Sequence, residues 1–311
     1  MPLADVIIPA FNNARELKPM LSTLFQQQVP AAWSMGVIIS DDGSRDETVA
    51  QSNAAAPPVS WRRNVIITGP HGGPAAARNR GLEHSRAELI LFLGADIVLR
   101  PGALAAHLNF HAAYADVQHA ALGMIKWDPR LNPSPFMEWM THGGGQNDFD
   151  SLLGRRTADA RHFLYGSHLS LKRAAFGKHR FPETYRGYGW EDLDLGRTLA
   201  PRLTLHILPE AVALHRHFYT TLDIGRRQYL VGRGLTTYQQ RYPRSPLVPK
   251  RPKLHRLKVR LITLCGGVWF LRYLLSYTSR YWSTPRLFTA FTALNWWRGV
   301  YDTLRPQPPR A

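Results

Sequence analysis

Two adjacent carboxylates follow a short apolar run in this chain, a placement that can serve chemistry. Asp41-Asp42-Gly43-Ser44 comes directly after the apolar residues 37–39. Neighbouring carboxylates at a strand end are costly unless a ligand or a partner uses them. One could accept a hydrogen bond from a nucleobase or a ribose, while Gly43 lets the backbone approach. The alternative is that Asp41, Asp42 and Ser44 only complement the dipole of a helix N-terminus, and the motif alone leaves both interpretations open.

A second acidic group follows glycine and an aromatic residue at Gly189-Trp190-Glu191-Asp192. Aromatic faces stack on pyranose rings, and a carboxylate can take the proton of an acceptor hydroxyl. The alternative is a capped helix, because acids are also favoured in a first helical turn.

A glycine-rich loop, Gly69-Pro70-His71-Gly72-Gly73, leads into a stretch that contains Arg78, Asn79 and Arg80. Such a loop before a helix suits contact with a phosphate or a ribose, and the arginines would add positive charge. A plain turn is the alternative, because a single glycine-rich loop is weak evidence for phosphate binding.

A candidate metal site combines Asp96 with His215. Asp96 follows the apolar run at residues 89–93, and His215 follows the apolar run at residues 205–214. A carboxylate oxygen can bind a divalent cation, and an imidazole can complete the site. A turn-forming aspartate is the alternative interpretation of Asp96.

Four short apolar runs are predicted to form strands, at residues 6–8, 37–39, 65–67 and 89–93. Runs that are apolar on both faces are typical of a buried parallel sheet. Helical stretches of suitable length separate them, which predicts an α/β fold built from βαβ units. Ligands of such sheets bind at the carboxyl ends of the strands, where the polar motifs lie.

Helix boundaries are predicted from capping residues and prolines. Asn12 or Asn13 can cap a helix that extends to about Gln28, and Ser44 and Glu47 have the spacing of a capping box. The prolines at positions 74 and 101 suit the first turns of two further helices.

Taken in order, these motifs resemble glycosyltransferase family 2, which has the GT-A fold. The matching stretches are residues 6–12, 41–44, 77–81, the region of Asp96, and 190–192, so the resemblance covers about residues 3–220. The stretch from Phe181 to Asp194 also looks like the acceptor segment of galactosyltransferase-type enzymes. The resemblance implies a GT-A nucleotide-binding sheet flanked by helices and a hexosyltransferase-type enzyme. It would use a nucleotide diphosphate donor, with UDP as the best analogy, and a glycan or lipid-linked acceptor.

The resemblance also implies roles for individual residues. It implies a divalent metal, Mn or Mg, on Asp96 with His215, and Asp192 as general base in a displacement that inverts the anomeric centre. It places Gly189, Trp190 and Glu191 at the acceptor, with Glu191 also in the catalytic pair. The implied donor contacts are Pro9, Phe11, Asn12, Asp41, Asp42, Arg78, Asn79, Ala95 and Asp96.

One position departs from the family pattern. The family usually has Asp-x-Asp after the fourth strand, whereas Gly94 stands at the first position here and only Asp96 remains. A catalytically weakened sugar-nucleotide-binding paralogue is therefore an alternative function. A sugar-nucleotide pyrophosphorylase is another, although it should carry a glycine-rich loop with a basic residue after the first strand, where this chain has Pro9-Ala10-Phe11-Asn12.

The charge of the chain is concentrated at its C-terminal end. The formal net charge is +17, and residues 226–311 hold 17 of the 39 lysines and arginines but one acid, Asp302. This change in net charge along the chain predicts a catalytic domain over residues 1–225 and a basic, aromatic-rich helical extension over 226–311. A basic tail attracts polyanions. Because no zinc or RNA-binding signature accompanies it, nucleic acid is not expected as a partner.

The extension carries an apolar stripe at helical spacing, which favours a peripheral membrane anchor. Its uncharged run at residues 261–271 is too short to span about 30 Å of hydrocarbon. The start of the sequence has no basic segment followed by a long apolar run, and Cys265 is the one cysteine, so we expect a cytoplasmic protein bound at the inner membrane face. The alternative is that the stripe packs on the catalytic domain. The stripe comprises Leu254, Leu257, Leu261, Leu264, Val268, Leu271 and Leu275, beside the basic Lys253, Arg256 and Arg260 and the aromatic Trp269, Tyr273, Tyr277, Tyr281, Trp282, Trp296 and Trp297.

Overall fold

The computed structural model describes residues 1–142, 148–185, 189–245, 252–278 and 284–303. The chain divides into two compact units. Unit 1 comprises Met1–Leu131, Phe149–Glu183 and Glu191–His217, and unit 2 comprises Asn132–Asp148, Thr184–Trp190 and Phe218–Ala311. The last segment of unit 2 begins at Phe218, near the boundary predicted at residue 225, and two earlier segments of the chain also belong to this unit.

Unit 1 contains one mixed sheet. Its strands among the described residues are β1 (Leu3–Ala10), β2 (Ser34–Asp41), β3 (Arg63–Thr68), β4 (Leu89–Leu93), β5 (Ile97–Leu99), β6 (His119–Trp127), β7 (Thr157–Ala158), β8 (His168–Lys172) and β9 (Thr204–His215). The strand order is β3-β2-β1-β4-β8-β6-β9-β5, and β7 pairs with β9. The four predicted strands are β1 to β4, and they pair in parallel as expected. The remaining strands, which lie in less regular sequence, add an antiparallel portion through the β4–β8 pair.

The helices of unit 1 flank its sheet. They are α1 (Ala14–Phe25), α2 (Thr48–Ala54), α3 (Pro74–His84), α4 (Ala103–Ala113), α6 (Ala160–Phe163) and α7 (Glu191–Leu199). Every residue of β4 is buried, which matches the expectation for strands that are apolar on both faces. This α/β architecture confirms the predicted fold class.

The capping box predicted at Ser44 and Glu47 does not form. Helix α2 begins at Thr48, and its N-cap residue Glu47 makes no side-chain capping bond. The Ser44 hydroxyl instead accepts a hydrogen bond from the backbone N–H of Asn12 at 2.8 Å. Ser44 therefore joins the loops that follow β1 and β2, because a long-range partner competes with the local cap. By contrast, Pro74 opens helix α3 as predicted.

Unit 2 is helical in its described residues. Its helices are α5 (Pro135–Thr141), α8 (Thr221–Arg241), α9 (Pro252–Leu264), α10 (Gly267–Thr278) and α11 (Pro285–Thr303). Helices α8 and α11 approach each other closely at Gly232 and Gly299. A Cβ on Gly232 would collide with the Trp296 carbonyl oxygen, and one on Gly299 with that of Tyr229. The apolar core that joins these helices contains Phe136, Met140, Ile224, Leu275, Phe288 and Phe291.

The apolar stripe predicted for the tail is divided between two environments. Leu275 is buried in the core of unit 2 and Leu271 packs against that core, whereas Leu257, Leu261 and Leu264 of α9 are exposed. Within the described residues no helix combines the length and the hydropathy needed to cross a membrane. Tyr281 and Trp282 lie outside the described residues, as do the side chains of Lys253, Leu254, Arg256 and Tyr277.

Three buried histidines lie between α4 and the sheet. His107 and His111 each contact the Ser170 hydroxyl, at 2.7 and 2.9 Å, and the His168 ring lies 4.8 Å from that of His107. The His168 ring fits because residue 123 is glycine, where a Cβ would collide with it. Burial lowers the pKa of His107 well below its usual value, that of His111 to about 3 and that of His168 to about 4.

These histidines predict that the protein is destabilised by mild acid. The folded protein keeps the three rings neutral, whereas the unfolded chain protonates them near pH 6.5. The free energy of unfolding is therefore highest above pH 6.5 and falls as the pH drops toward 4. The slope of the free energy of unfolding against pH should approach roughly 1.4 kcal/mol per pH unit for each histidine. Denaturant unfolding across this range measures it. His168→Leu should reduce the slope, while His162→Gln, at an exposed ring, should not; an equal slope in the His168 variant and wild type would contradict the assignment.

Candidate functional site

The candidate site forms where the parallel strands of unit 1 end. Strand β1 lies between β2 and β4, with Ala10 opposite Asp41. The Asp42 N–H donates to the Ala10 carbonyl at 2.8 Å and continues the ladder by one step. Because the strands run in parallel, residues 9–12, 41–44 and 94–96 meet at one edge of the sheet, as the sequence predicts.

Asp41 supports the turn that follows β2. Its carboxylate is buried and accepts hydrogen bonds from the N–H groups of Gly43 and Ser44 at 3.2 to 3.3 Å. The turn needs glycine because Gly43 has a φ of +78°, which glycine adopts readily. Asp41 therefore shapes the loop that carries Asp42.

Asp42 holds the glycine-rich loop in place. Its buried carboxylate accepts hydrogen bonds from the N–H groups of Gly72 and Gly73, at 3.0 and 2.7 Å. It also pairs with Arg80 at 2.7 Å and with the His71 ring at 2.8 Å. The predicted donor-binding aspartate thus already has four partners, two of them backbone groups, which satisfy a charge that would be costly to bury alone.

Phe11 and His71 form an aromatic pair at this edge. Their ring centroids are 4.2 Å apart and the rings are stacked, with Phe11 38% exposed. Asn12 holds the adjoining loop, because its side-chain oxygen accepts a hydrogen bond from the Arg45 N–H at 2.9 Å. Pro9 lies in β1 opposite Ser40. The pair offers flat, accessible ring surface next to the Asp42 loop.

Arg78 joins the two acids predicted to be catalytic. Its guanidinium lies 3.1 Å from the Asp192 carboxylate and 3.4 Å from that of Glu191. Asp192 also accepts a hydrogen bond from the Gly166 N–H at 2.9 Å. The Asp192 side chain keeps 17% of its surface exposed, against 5% for Glu191. Arg78, predicted as a donor contact, therefore positions the acids, and Asp192 is the more accessible of the two.

Gly166 belongs to this cluster, although the sequence analysis did not single it out. A Cβ at this position would lie 2.9 Å from Asp192 Oδ1 and 3.0 Å from Arg78 Cζ. Any side chain here would have to displace the Arg78–Asp192 pair. An isolated glycine before a strand carries no signal specific enough to reveal this role.

Asn79 has a structural role in the site. Its side-chain amide donates to the Phe181 carbonyl at 2.8 Å and to Glu183 at 2.7 Å, and its oxygen accepts from the Phe181 N–H at 3.0 Å. Asn79 is buried. It was predicted as a donor contact, but its hydrogen bonds anchor the segment of residues 181–183 to helix α3.

Asp96 and His215 lie together as predicted. The His215 Nε2 atom is 3.4 Å from the Asp96 carboxylate, and both side chains are partly accessible. The pairing of β5 with β9 brings them together, because Ile97 lies opposite His215. The neighbouring Ala95 is buried and contributes backbone only. Within the described residues, no group of three or more His, Cys, Asp or Glu side chains is arranged to hold a metal ion.

Gly94 stands where the family pattern has a first aspartate. A Cβ on Gly94 would lie 3.0 Å from Asp96 Oδ1 and 2.9 Å from Ile97 Cγ1. The Asp96 side chain and Ile97 thus occupy the space that a larger residue would need.

Asp128 is a further buried acid near this pair. It pairs with Arg216 at 3.3 Å and with Arg130 at 2.9 Å, and its N–H donates to the His215 carbonyl at 3.1 Å. Burial raises the pKa of Asp128, but the hydrogen bonds from Arg130 and the charges of Arg130 and Arg216 together outweigh burial, so the pKa is lowered. Asp128 therefore fixes the end of β9, which carries His215, and sequence patterns did not reveal it.

Trp190 is a packing residue of unit 2. Its ring is buried, its indole N–H donates to the Val231 carbonyl at 2.6 Å, and its centroid lies 4.5 Å from that of Tyr238. The aromatic face expected to stack on an acceptor sugar is therefore covered by protein. Gly189, with a φ of +98°, forms the turn before it. Residues 186–188 of the predicted acceptor segment lie outside the described residues.

Solved glycosyltransferase structures share the fold of this chain. The mannosyltransferase PcManGT from Pyrobaculum calidifontis, in complex with GDP-Man and Mn2+, has a TM-score of 0.61 at 17% identity, over 97% of this chain and 86% of that one. Residues 1–349 of S. aureus TarS, in complex with UDP, have a TM-score of 0.54 at 15% identity, over 98% and 92% of the two chains. These likenesses show the GT-A fold, as predicted.

Curated relatives with glycosyltransferase names share sequence with this chain. Validoxylamine A glucosyltransferase of Streptomyces hygroscopicus subsp. jinggangensis is 28% identical over 240 residues, which is 68% of this chain and 54% of that protein. A PGL/p-HBAD biosynthesis glycosyltransferase of Mycobacterium tuberculosis is 28% identical over 176 residues, which is 57% of this chain and 61% of that protein. The aligned part thus spans between about half and three fifths of the relatives' length.

The family resemblance inferred from the motifs is confirmed by a match to the model of that family. The family model for glycosyl transferase family 2 matches residues 5–180. These residues include most of β1, all of β2 to β4, the Asp42 loop and the Asp96 turn. The match covers more than half of the chain, so this protein belongs to glycosyl transferase family 2.

Proposed function

We propose that the protein is an inverting glycosyltransferase of hexosyltransferase type, which moves a sugar from a UDP-linked donor to a hydroxyl of a glycan or lipid-linked acceptor. The observation that carries this proposal is the accessible Asp192 carboxylate, fixed by Arg78 and the Gly166 N–H in a chain that belongs to this family. An enzyme of this kind needs a base held in one orientation, and two fixed donors on one carboxylate provide that.

The donor would bind at the carboxyl edge of the parallel strands. The stacked rings of Phe11 and His71 offer a surface for a nucleobase. Asp42 holds the N–H groups of the glycine-rich loop and so determines the shape of the adjoining wall. UDP is the preferred nucleotide because TarS 1–349, which shares the fold, is known in complex with UDP and with UDP-GlcNAc.

A divalent metal, Mn2+ or Mg2+, fits the Asp96–His215 pair. A carboxylate and an imidazole 3.4 Å apart, both partly accessible, form a donor set suited to such a cation. The PcManGT structure, which shares the fold, contains Mn2+. When bound, the cation would neutralise charge on the nucleotide diphosphate.

In the proposed reaction, Asp192 accepts the proton of the acceptor hydroxyl. The acceptor oxygen forms a bond to the anomeric carbon while the bond from that carbon to the diphosphate oxygen breaks. A single displacement of this kind inverts the anomeric centre. Arg78 and Gly166 keep the Asp192 carboxylate in one orientation, and Glu191, which is largely buried behind Arg78, supports that guanidinium.

A catalytically weakened sugar-nucleotide-binding protein is the second candidate, and Gly94 is the observation that favours it. Gly94 removes one acid from the usual pair, and the Asp96 side chain and Ile97 occupy its space. Such a protein would bind a donor without transferring or hydrolysing its sugar. A panel of nucleotide sugars, tested for metal-dependent binding and for release of the nucleotide diphosphate, separates the two candidates.

Substitution of the base tests the proposed reaction. Asp192→Asn keeps the size of the side chain and can still accept from the Gly166 N–H, but it loses basicity. We expect the transfer rate to fall by on the order of 100-fold or more, with little change in donor binding. Asp116→Asn, in an exposed loop, is the matched control and should behave as wild type. Transfer by Asp192→Asn at the wild-type rate would refute the role.

Removal of either metal ligand tests the metal site. Asp96→Asn and His215→Gln should each weaken Mn2+-dependent donor binding by roughly tenfold or more, and a chelator should do the same to the wild-type protein. Calorimetric titration of donor with and without Mn2+ measures this. His217→Gln removes a neighbouring histidine that faces Glu16 at 3.9 Å and should leave binding unchanged. Equal donor binding in excess chelator would contradict the metal proposal.

The tail supports a location at a membrane surface. Seven large apolar side chains of α9 and α10 are exposed, and Trp269, at 69% exposure, is among the most accessible. This density is unusual for a surface that contacts only water. Trp and Tyr side chains favour the interface of a bilayer. The exposed set comprises Leu257, Leu261, Ile262, Leu264, Trp269, Phe270 and Tyr273.

Basic residues accompany this apolar surface. Lys258, Arg260 and Arg272 are exposed on the same two helices, and each basic side chain near an anionic surface contributes about 1 kcal/mol. We therefore propose that α9 and α10 lie in the plane of an anionic membrane surface. Because the cytoplasmic leaflet carries the anionic lipids, the inner face is the proposed location, and the exposed thiol of Cys265 suits a reducing compartment.

Vesicle sedimentation tests the membrane proposal. Replacing Trp269 and Phe270 together by serine should lower the bound fraction on anionic vesicles by roughly tenfold or more, because each buried aromatic side chain contributes about 1.5–3 kcal/mol. Leu153→Ser, at an exposed leucine of unit 1, is the matched control and should bind as wild type. The native thiol of Cys265, labelled with an environment-sensitive dye, should report an apolar environment. Equal binding by all three proteins would refute the anchor.

A further inference from the structure

A cavity of about 630 Å³ lies in unit 1 at the end of the sheet opposite to the candidate site. It opens where β4 begins and β8 ends, at the pair formed by Leu89 and Lys172. Asp96 follows the other end of β4. Four residue steps separate the two ends of this strand, which is roughly 13 Å at the usual strand rise. The cavity is therefore distinct from the proposed donor site.

The lining of this cavity is strongly basic. Arg86, Lys172, Arg173 and Arg180 line it, and Glu88 is the one acidic residue of the lining. Among the residues that the structure describes, none of these four cations forms an ion pair with a carboxylate. Four cations around one concave space repel each other unless an anion is present. Within the described part of the chain, the lining thus carries four cations against the single acid Glu88.

Neutral groups hold three of these cations in position. The Arg173 guanidinium donates to the Ser85 carbonyl at 3.0 Å, and the Arg180 guanidinium donates to the His179 carbonyl at 2.8 Å. The Lys172 ammonium lies 5.8 Å from the centre of the Trp33 ring and 3.4 Å from the His111 carbonyl. Carbonyl and ring contacts orient a cation but leave its charge and its remaining N–H groups available.

The most buried part of the cavity lining is apolar. Leu82 and Phe176 line it and are almost completely buried. The backbone is also fixed there, because the Arg173 N–H donates to the Glu88 carbonyl at 2.7 Å. A cationic rim above an apolar floor suits a compact organic anion better than a bare ion. Phosphate esters match this chemistry, because one guanidinium group can donate two parallel hydrogen bonds to two oxygens of a phosphate.

We propose that this cavity is a second anion site, which binds a phosphate ester or a diphosphate independently of the donor site. The ligand can be a water-soluble phosphate ester or the phosphate headgroup of a lipid, since both present the same oxygens. The proposal does not depend on the assigned glycosyltransferase activity, because neither Asp96 nor Asp192 contributes to the cavity.

Lysine acylation followed by mass spectrometry tests the site directly. Lys172 lines the cavity, whereas Lys178 is exposed nearby and does not line it. Lys178 therefore serves as an internal control for the acylation of Lys172. In excess chelator, pyrophosphate or glycerol 3-phosphate should slow acylation of Lys172 by roughly tenfold, the scale of one charge-assisted contact, and leave Lys178 unchanged. A second arm replaces the soluble ester with vesicles that contain phosphatidic acid and so identifies the source of the phosphate.

Two variants distinguish this site from other anion-binding surfaces. Arg86→Gln with Arg180→Gln should raise the concentration needed for half-protection of Lys172 by roughly tenfold or more, and circular dichroism verifies that the variant is folded. Asp96→Ala, in the proposed donor site, should leave protection unchanged. Protection of Lys172 in either arm that depends on the two arginines supports the proposal. Absence of protection in both arms, equal protection of Lys178, or protection that survives in the double variant would overturn it.

Discussion

The parallel pairing of β1 with β2 and β4 is the constraint on which the rest of this structure depends. Parallel strands require crossover connections, and here helices α1, α2 and α3 provide them. The same pairing brings the carboxyl ends of β1, β2 and β4 to one edge of the sheet, so the loops that follow these strands lie next to one another. The backbone bond from Asp42 to Ala10 and the bond from Asn12 to Ser44 then join the loops that follow β1 and β2.

Buried charge is the second constraint, and it determines which polar residues reach a ligand. Asp42 and Arg78 are both buried, and a buried charge must be paired and hydrogen-bonded. Asp42 meets this need with backbone N–H groups and Arg80, while Arg78 meets it with Asp192 and Glu191. Residues of the family pattern are thus of two kinds. Some are buried and hold the loops of the candidate site in place, while others, such as Asp192 and Asp96, keep part of their side chain accessible.

Sequence patterns predicted the four parallel strands, the start of helix α3 and the proximity of Asp96 to His215. They did not predict the partners of individual side chains. Arg78 and Asn79 stand in a motif expected to contact the donor, yet Arg78 orients two acids and Asn79 holds the Phe181 segment. Trp190, expected to stack on a sugar, is covered by Tyr238. Each of these outcomes depends on a residue far away in the sequence, which local spacing does not encode.

The sequence by itself determined the family, the order of the strands that end in polar loops, and the basic, aromatic character of the tail. The family follows from the resemblance of the ordered motifs, whereas the strands and the character of the tail follow from periodicity and composition, which act between neighbours along the chain. Tertiary structure alone decided which tail residues are exposed: Leu271 and Leu275 pack in unit 2 while Trp269 and Phe270 do not. It also decided the roles of Gly166 and Asp128. The physical reason is that burial and pairing are properties of three-dimensional neighbours, and elements distant in sequence supply those neighbours.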